Sequence, residues 1–372
     1  MTREEYLRVF GAVHDNLSDF LYSIDQKYID NLVNNLGRTP EAARSLGAWD
    51  WTHGIGLYGL YKIYEFTHDE HYLDMIESWF ADRIGIGLPD KNVNTVCPLL
   101  TMAFLHEIRP RDKYKKIMDE WAGWIMHDMK RTEEGGIQHE HAELENDGQL
   151  WDDTLIMTVM FLAKYGKMTG RQDCLDEAMY QFLLHVKYLY DSSTGLWFHG
   201  WSFHDRDHFA GALWGRGNCW ITVFIPDFID IMEFKGAEKR YAVGILNNQA
   251  EALKKYQAPD GRWHTLINDE TSYLESSATA GFCYGILKGI RMGYLGESFM
   301  ECGKKALEAI VRNINEDGEL AEVSYGTNVG RTLQHYRDIP LVKMHYGQAL
   351  ALLALIEGFS ACGYGMTSED QS

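Results

Sequence analysis

Two kinds of helical segment alternate along the chain, and this alternation restricts the possible folds more than any other feature of the sequence. In the first kind, such as 171–190, apolar residues recur at intervals of three and four, which is typical of an amphipathic helix. Segments of the second kind, such as 154–165 and 348–359, are apolar almost all round and belong inside a larger assembly. Candidate inner helices begin near residues 51, 94, 153, 218, 276 and 343, and candidate outer helices begin near residues 5, 70, 112, 172, 237 and 299.

Six pairs of inner and outer helices predict an all-α fold, an (α/α)6 barrel in which six outer helices surround six inner helices. The alternative is an open helical solenoid, whose repeats are usually shorter and more alike in sequence. Neither a linker nor a low-complexity tract interrupts the 372 residues, so we expect one domain over 1–372. The last residues, TSEDQS, are expected to form a frayed tail.

The connections between the two kinds of helix differ in length. Those from an inner to an outer helix are short, such as Thr169-Gly170, whereas those from an outer to an inner helix are long and rich in Trp, His, Asp and Gly. In a barrel all the long loops lie on one rim, and binding sites concentrate in loops that a rigid scaffold holds. We therefore expect the functional site on the rim built from 47–53, 88–95, 131–152, 191–217, 258–275 and 314–342.

The charge and the cysteines exclude several classes of protein. A formal net charge of −19 argues against nucleic acid or anionic membranes as partners, and an anionic ligand would need a local cationic site. The chain has no apolar run long enough for a membrane span, and its charged N-terminus lacks the core of a signal peptide. The six cysteines form no C-x-x-C pair, which indicates buried, reduced thiols. We expect a cytoplasmic protein.

Two adjacent acids stand at the start of the third inner helix, in GQLWDDT at 148–154. In one interpretation, one of them is the N-cap of that helix. In a functional interpretation, Asp152 is exposed and Asp153 points into the barrel, where Trp151 and apolar neighbours raise its pKa. Such a carboxyl can protonate a substrate and later accept a proton from water. The two interpretations are compatible, and Asp153 is the predicted catalytic residue.

A second cluster, WGRGNCW at 214–220, stands at the start of the fourth inner helix. Arg216 offers two parallel N–H donors to a carboxylate of a ligand, or it pairs with a structural Asp. Trp214 and Trp220 either flank a sugar ring or fill the core, which is the commoner place for Trp. Trp51 in AWDWTHGIG and Asn94 in KNVNT complete the predicted rim.

Histidines concentrate in the same loops, with His139 and His141 in GGIQHEHAE and His199 in WFHGW. The H-E-H spacing does not suit the helical zinc pattern, and no H-E-x-x-H occurs, so we expect no catalytic metal. A lone histidine is more often structural, but His139 and His199 are candidates for polar contacts with a sugar. Phosphate-binding loops and G-x-S-x-G elbows are absent, and no cofactor is predicted.

Together these segments resemble glycoside hydrolase family 105, the unsaturated rhamnogalacturonyl hydrolases, and the related unsaturated glucuronyl hydrolases of family 88. The resemblance spans nearly the whole chain. It is carried by AWDWTHGIGLYGL at 48–60, VNTVCPLL at 93–100, GGIQH at 135–139, QLWDDTLIM at 149–157, FHGW at 198–201, WGRGNCW at 214–220 and YLESSATAGFCYGILKGIRMGYL at 273–295.

The resemblance implies a metal-free (α/α)6 barrel whose substrate is a small oligosaccharide that ends in a 4,5-unsaturated uronic acid. It implies that Asp153 protonates C4 of the double bond before water attacks C5. It also places substrate contacts at His139, His199, Trp214, Arg216 and Trp220, and the same rim holds Trp51, Asn94 and Trp151. Many relatives carry a second acid at the start of the second inner helix, where this chain reads KNVN at 91–94. Amides are therefore expected to position the substrate there.

Two other classes of function remain open. Another (α/α)6 sugar enzyme, an epimerase or an ordinary glycosidase, would need a second proton-transferring group across the lumen. A non-catalytic sugar-binding protein would keep the aromatic rim and tolerate the loss of Asp153. Family resemblance favours rhamnose next to the uronate, and the protein is expected to be a monomer or a small homo-oligomer.

Overall fold

Six inner helices form a closed ring in the computed structural model, which describes residues 2–364. Their buried positions run almost without interruption, as predicted, and every residue in 276–290 and 346–359 is buried. In chain order the ring consists of α4 (Trp51–Thr67), α6 and α7 (Val93–Val96 and Pro98–Ile108), α9 (Met160–Thr169), α11 (Gly215–Met232), α13 (Ser276–Arg291) and α16 (His345–Ala361). Each helix packs against the next, and α16 contacts both α13 and α4, which closes the ring.

Six amphipathic helices surround this ring. The first of them buries Tyr6, Phe10, Val13 and Leu17, a spacing of three and four that places all four side chains on one face. The outer helices are α1 (Arg3–Leu21), α5 (Glu70–Ile86), α8 (Asp112–His127), α10 (Gln172–Leu189), α12 (Gly236–Tyr256) and α14 (Met300–Arg312). The fold is therefore the predicted (α/α)6 barrel. Its helices begin within three residues of the predicted positions, except that α9 begins at Met160 against the predicted 153, because a π-helical turn at Leu155–Val159 precedes it.

Short turns join each inner helix to the next outer helix. Gly170 ends α9 with a φ of 70°, a left-handed conformation that glycine adopts without a steric penalty, and α10 begins two residues later. Because these turns are short, the long loops all lie at the opposite end of the barrel, where the inner helices begin.

Several small elements at that end were not predicted. Two helices, α2 (Gln26–Asn34) and α3 (Pro40–Ala48), lie between α1 and α4, and α15 (Leu333–Arg337) precedes α16. A π-helical turn at Leu155–Val159 precedes α9 there, and a 3-10 turn at Glu297–Phe299, at the opposite end of the barrel, precedes α14. Three antiparallel pairs join the loops: β1 (Gln149–Trp151) with β2 (Gly200–Ser202), β3 (Trp263–His264) with β4 (Leu274–Glu275), and β5 (Val323–Ser324) with β6 (Leu341–Val342).

The second inner helix is divided where the sequence predicts one helix. Pro98 has no N–H and cannot continue the hydrogen bonding of a preceding turn, so α6 ends before it and α7 begins at it. Gly54 of α4 faces this junction, and a Cβ there would lie 2.6 Å from Sγ of Cys97. Close packing against α4 thus holds α6 in place, with Asn92 capping its first turn.

Two other sequence predictions concern the cysteines and the membrane. All six cysteines are free and five of them are buried, but Cys362 is exposed, contrary to the prediction for all six. Within residues 2–364, no helix has the length and apolar character that a membrane span requires. The predicted tail at 367–372 lies outside the described residues.

Candidate active site

A pocket of about 400 Å³ opens at the end of the barrel where the inner helices begin. The starts of α4, α6, α11 and α16 contribute to its wall, together with loops at 139–143 and 325–328. Six of the nine predicted site residues line it, namely Trp51, Asn94, His139, Trp151, Asp153 and Arg216. The other three, His199, Trp214 and Trp220, are buried behind this wall.

Asp153 reaches the pocket, and Asp152 is fully buried, with 0% of its surface exposed. The predicted exposure of Asp152 is therefore wrong. Pairing of β1 with β2 explains the reversal, because the N–H of Asp152 donates to the carbonyl oxygen of His199 at 3.0 Å and continues the ladder. Side chains alternate along an extended segment, so Trp151 and Asp153 share the pocket side while Asp152 points into the protein.

Burial governs the protonation of this acid pair. Desolvation raises the pKa of Asp153, while Arg216 opposes the rise, and desolvation with the neighbouring Asp153 carboxyl holds the pKa of Asp152 well above its usual range. The π-helical turn that follows has no side-chain cap, so neither carboxyl serves as the predicted N-cap. The raised pKa of Asp153 is what an acid catalyst near neutral pH requires.

His139 and Trp151 form a fixed aromatic wall beside Asp153. The two rings are stacked, with centroids 4.3 Å apart and planes 12° from parallel. Nδ1 of His139 lies 2.8 Å from Oγ1 of Thr154, and the indole N–H of Trp151 donates to Oε1 of Gln149 at 2.9 Å. Burial holds the pKa of His139 well below its usual range, so this imidazole is neutral at physiological pH.

His199 stands behind the two acids. Its Nδ1 lies 2.9 Å from the hydroxyl of Tyr336, and its ring packs on Trp214 with centroids 4.2 Å apart. Ligand-type atoms of His199, Asp152 and Asp153 all lie within 4.8 Å of one another, and Nε2 of His199 has no hydrogen-bond partner within residues 2–364. Burial, with a smaller effect of Arg216, keeps the pKa of His199 well below its usual range, so the ring is neutral.

Arg216 is 2% exposed and makes no salt bridge with any carboxylate in the described chain. Nη1 donates to the carbonyl oxygen and the hydroxyl of Ser324 and to the hydroxyl of Tyr346, and Nη2 donates to the carbonyl oxygen of Tyr325 at 3.0 Å. The alternative prediction, in which a structural Asp pairs with Arg216, is therefore wrong. Although burial acts to lower the pKa of Arg216, the nearby carboxyls of Glu275 and Asp153 help to raise it without forming a salt bridge with it. An anionic ligand would provide the direct charged partner that a buried cation favours.

Trp214 and Trp220 support residues of the pocket wall. The guanidinium of Arg216 lies over the ring of Trp214 at 4.3 Å, an arrangement that fixes the plane of the guanidinium. Trp220 meets Trp51 edge-on, with centroids 6.0 Å apart. These contacts explain why both side chains are buried, and direct contact of either with a substrate stays a prediction.

Sequence reasoning missed several residues of the pocket. Asp50 and Glu143 line it together with the segment 325–328. Burial raises the pKa of Asp50 to about 7, and a nearby acid, Glu143, adds to the effect. A signal for Asp50 was present, since it stands directly before the first inner helix, much as Asp153 stands before the third.

Asp152, Asp153 and His199 are also the residues that would best hold a metal ion, with two carboxylates and one imidazole. The charge of Arg216, which lowers the pKa of Asp153, would repel such a cation. The three groups therefore suit proton transfer better than metal binding.

A carboxyl with a raised pKa, an aromatic wall and a buried guanidinium at the mouth of an (α/α)6 barrel define the class of the protein as a sugar-active hydrolase. Comparison with known proteins gives the family. The chain belongs to Glycosyl Hydrolase Family 88, whose family model matches residues 27–361, and it is a glycoside hydrolase.

Two relatives agree with this assignment, and a third protein shares the fold. The chain is 32% identical over 313 residues to the unsaturated rhamnogalacturonyl hydrolase YesR of Bacillus subtilis, covering 83% of this chain and 89% of the relative. A solved structure described as a possible member of the GH105 family, from Klebsiella pneumoniae, has a TM-score of 0.90 and 45% identity over 97% of this chain and 94% of that chain. The unsaturated glucuronyl hydrolase of Bacillus sp. GL1 has a TM-score of 0.65 at 20% identity, covering 82% and 85% of the two chains, which shows the fold alone. The predicted resemblance to families 105 and 88 is confirmed.

Proposed function

We propose that the protein removes the 4,5-unsaturated uronic acid from the non-reducing end of small oligosaccharides that a polysaccharide lyase has produced. The relative from Bacillus subtilis, an unsaturated rhamnogalacturonyl hydrolase, favours rhamnose as the adjoining sugar. The observation that carries the proposal is Asp153, a carboxyl of raised pKa that faces a pocket containing a buried Arg216 without a carboxylate partner.

The reaction is a hydration of the C4=C5 double bond. Protonated Asp153 donates its proton to C4, the π electrons form the new C4–H bond, and positive charge develops at C5 and the ring oxygen. The Asp153 carboxylate then accepts a proton from water as the water oxygen bonds to C5. The resulting hemiketal opens at the C5–O5 bond to give a ketone and a hemiacetal at C1. That hemiacetal collapses to an aldehyde at C1: the C1–O bond to the next sugar breaks, and the leaving sugar oxygen takes up the hydroxyl proton. Asp153 has already regained its own proton from water.

The other pocket residues bind and orient the sugar. Arg216 binds the uronate carboxylate, because it makes no salt bridge within residues 2–364 and two of its N–H groups are not used by these residues. Neutral His139 and the amide of Asn94 hydrogen-bond sugar hydroxyls, and the faces of Trp151 and Trp51 pack against the rings. His199, Trp214 and Trp220 hold these groups in place from behind. No step requires a metal or a cofactor.

The test uses unsaturated disaccharides made by a lyase, in which the conjugated double bond absorbs ultraviolet light. We expect the protein to abolish this absorbance and release one reducing sugar per event. Asp153→Asn keeps the shape of the side chain but has no proton to give, so it should retain the fold and disaccharide binding while losing activity by about 10³-fold or more. Full activity of Asp153→Asn would contradict the assignment.

Substrate controls separate the other classes of function. An epimerase would leave the double bond and its absorbance intact, and an ordinary glycosidase would cleave the saturated disaccharide equally well. A sugar-binding protein would retain affinity and show no turnover. Disaccharides with rhamnose or with an amino sugar next to the uronate distinguish a rhamnogalacturonan product from a glycosaminoglycan product.

We also propose one catalytic domain over 1–372 and a cytoplasmic location. The six free cysteines support a reducing compartment, and the closed inner ring supports a single folding unit. The predicted monomer or small homo-oligomer can be checked by light scattering after size-exclusion chromatography.

A further inference from the structure

Asp152 is a buried carboxyl that the reaction described above does not use. It is 0% exposed, and no N–H or O–H group of another side chain in residues 2–364 donates to its oxygens. An ionised carboxylate in such a place is disfavoured, because the loss of water outweighs the backbone N–H of Asp153 and the charge of Arg216 that favour the charged form. The carboxyl of Asp153 is close by, with one of its oxygens within 4.8 Å of an oxygen of Asp152.

The protein makes specific room for this side chain. Gly217, in the first turn of α11, faces Asp152, and a Cβ at that position would clash with Oδ2. The β1–β2 pairing fixes the backbone of Asp152 from the other side through its bond to His199. A side chain held so closely between two elements can present only one face of its carboxyl to Asp153.

We propose that Asp152 is a positioning residue that stays protonated and donates its O–H hydrogen bond to the carboxyl of Asp153. The inference rests on the proposed role of Asp153 as acid and base. Two adjacent carboxylates are acceptors only and repel each other, so one of them must retain a proton. The buried member retains it, and the member that faces the pocket exchanges its proton with the substrate.

This arrangement serves the second half of the reaction. After Asp153 has given its proton to C4, the new carboxylate accepts the hydrogen bond of Asp152 and keeps the orientation needed to attract a proton from water. The proton of Asp152 stays on its own oxygen throughout, so the hydration remains balanced through Asp153 alone.

Only one permanent charge faces the pair. The titratable and charged groups that face the two acids from other elements are His139, His199, Arg216, Cys219 and Tyr336. Burial leaves His139 and His199 neutral by lowering the pKa of each, and it leaves Cys219 and Tyr336 neutral by raising theirs. The pH profile of the pair is therefore governed by the two acids and the guanidinium of Arg216.

Two substitutions of nearly equal shape test the proposal. Asp152→Asn keeps a donor toward Asp153, so kcat near neutral pH should stay within about fivefold of the unaltered enzyme. Asp152→Leu removes the donor, so kcat should fall at least about tenfold. In Asp152→Leu the pKa of Asp153 should also rise, because its carboxylate has lost a donor. The high-pH limb of kcat/KM should therefore move upward by about one pH unit. Circular dichroism and thermal melting establish that both variants are folded.

Each other outcome overturns the proposal. If both variants lose stability but the high-pH limb of kcat/KM does not move, Asp152 stabilises the fold and does not act on Asp153. If Asp152→Asn moves the limb downward, Asp152 is ionised and acts by repulsion. If chelation abolishes activity and a divalent cation restores it, the pair and His199 hold a metal.

A measurement without substrate separates this inference from the proposed function. Carboxyl 13C NMR of protein labelled in aspartate should show one signal that remains protonated above pH 7 and is missing in Asp152→Asn. Because Asp50 also titrates near this range, assignment by the variant is essential. An inactive protein with that signal would disprove the proposed function alone, and an active one without it would disprove the role of Asp152 alone.

Discussion

Replacing Arg216 by Gln should remove the preference of the enzyme for a charged uronate. Of the five N–H groups of a guanidinium, two on Nη1 and one on Nη2 donate to the protein, which leaves two for the substrate. Each hydrogen bond between charged groups contributes about 1.5–3 kcal/mol, so two of them correspond to roughly 10²–10⁴-fold in kcat/KM. The value of kcat/KM should therefore decrease for the free acid and stay nearly unchanged for its methyl ester.

The assay compares kcat/KM for the unsaturated disaccharide and for its methyl ester, in the unaltered enzyme and in Arg216→Gln. This design cancels general damage to the pocket, because damage affects both substrates. Arg216→Lys is the matched control, because it keeps the positive charge but replaces the planar guanidinium by a single ammonium group. Its ratio of kcat/KM for the acid to kcat/KM for the ester should be intermediate. If Arg216→Gln keeps the acid-to-ester ratio within about threefold, another residue binds the carboxylate.

Four further substitutions probe the site and the barrel that supports it. Burial raises the pKa of Asp50 to about 7 from the usual 3.8, so its ionisation destabilises the folded state as pH rises from about 4 to 7; Asp50→Asn should therefore raise the melting temperature more at pH 8 than at pH 5. Gly217→Ala should displace Asp152 and lower kcat at least about tenfold. Its control is Gly123→Ala, on the open face of α8, which should leave activity unchanged and not reduce stability. Kinetics and thermal melting measure both effects. Asp227→Asn, at the other end of the barrel, leaves two buried lysines with a lost partner, so urea unfolding should show a loss of about 3–5 kcal/mol while kcat of the folded enzyme is kept.

The barrel could be predicted because the pattern of apolar residues in each helix indicates which of its faces are buried. An inner helix such as 346–359 is apolar on every side, and an outer helix such as Arg3–Leu21 is apolar on one face, so local patterns suffice to assign both. The nine-residue helix Gln26–Asn34 was missed because it buries only Ile29 and Leu32, too few positions to establish a period. The division at Pro98 was visible in the sequence, but only the packing of Gly54 shows why the two pieces keep one direction.

The candidate site was predictable where its residues stand at the start of inner helices, as Trp51, Asn94, Asp153 and Arg216 do. The orientation of Asp152 was not predictable, because it depends on the pairing of β1 with a strand about 50 residues later. The loop 314–342 was predicted to lie on the rim, but residues 325–328 were not singled out within it, because the β5–β6 pair sets their position. Non-local pairing of very short strands leaves no pattern in the sequence.

The protein and its proposed substrate are both negatively charged, so the net charge of the protein repels the substrate while Arg216 attracts its carboxylate. Distance decides which of these two effects dominates. The acidic side chains that produce the net charge of −19 are mostly exposed, and at physiological salt their field decays over about 8 Å. Arg216 would meet the carboxylate directly, where a pair of unit charges at about 4 Å gains roughly 4 kcal/mol at the effective dielectric of a protein site. We therefore expect the screened repulsion to slow the approach of the anion, and we expect Arg216, which is buried and makes no salt bridge within residues 2–364, to determine its binding.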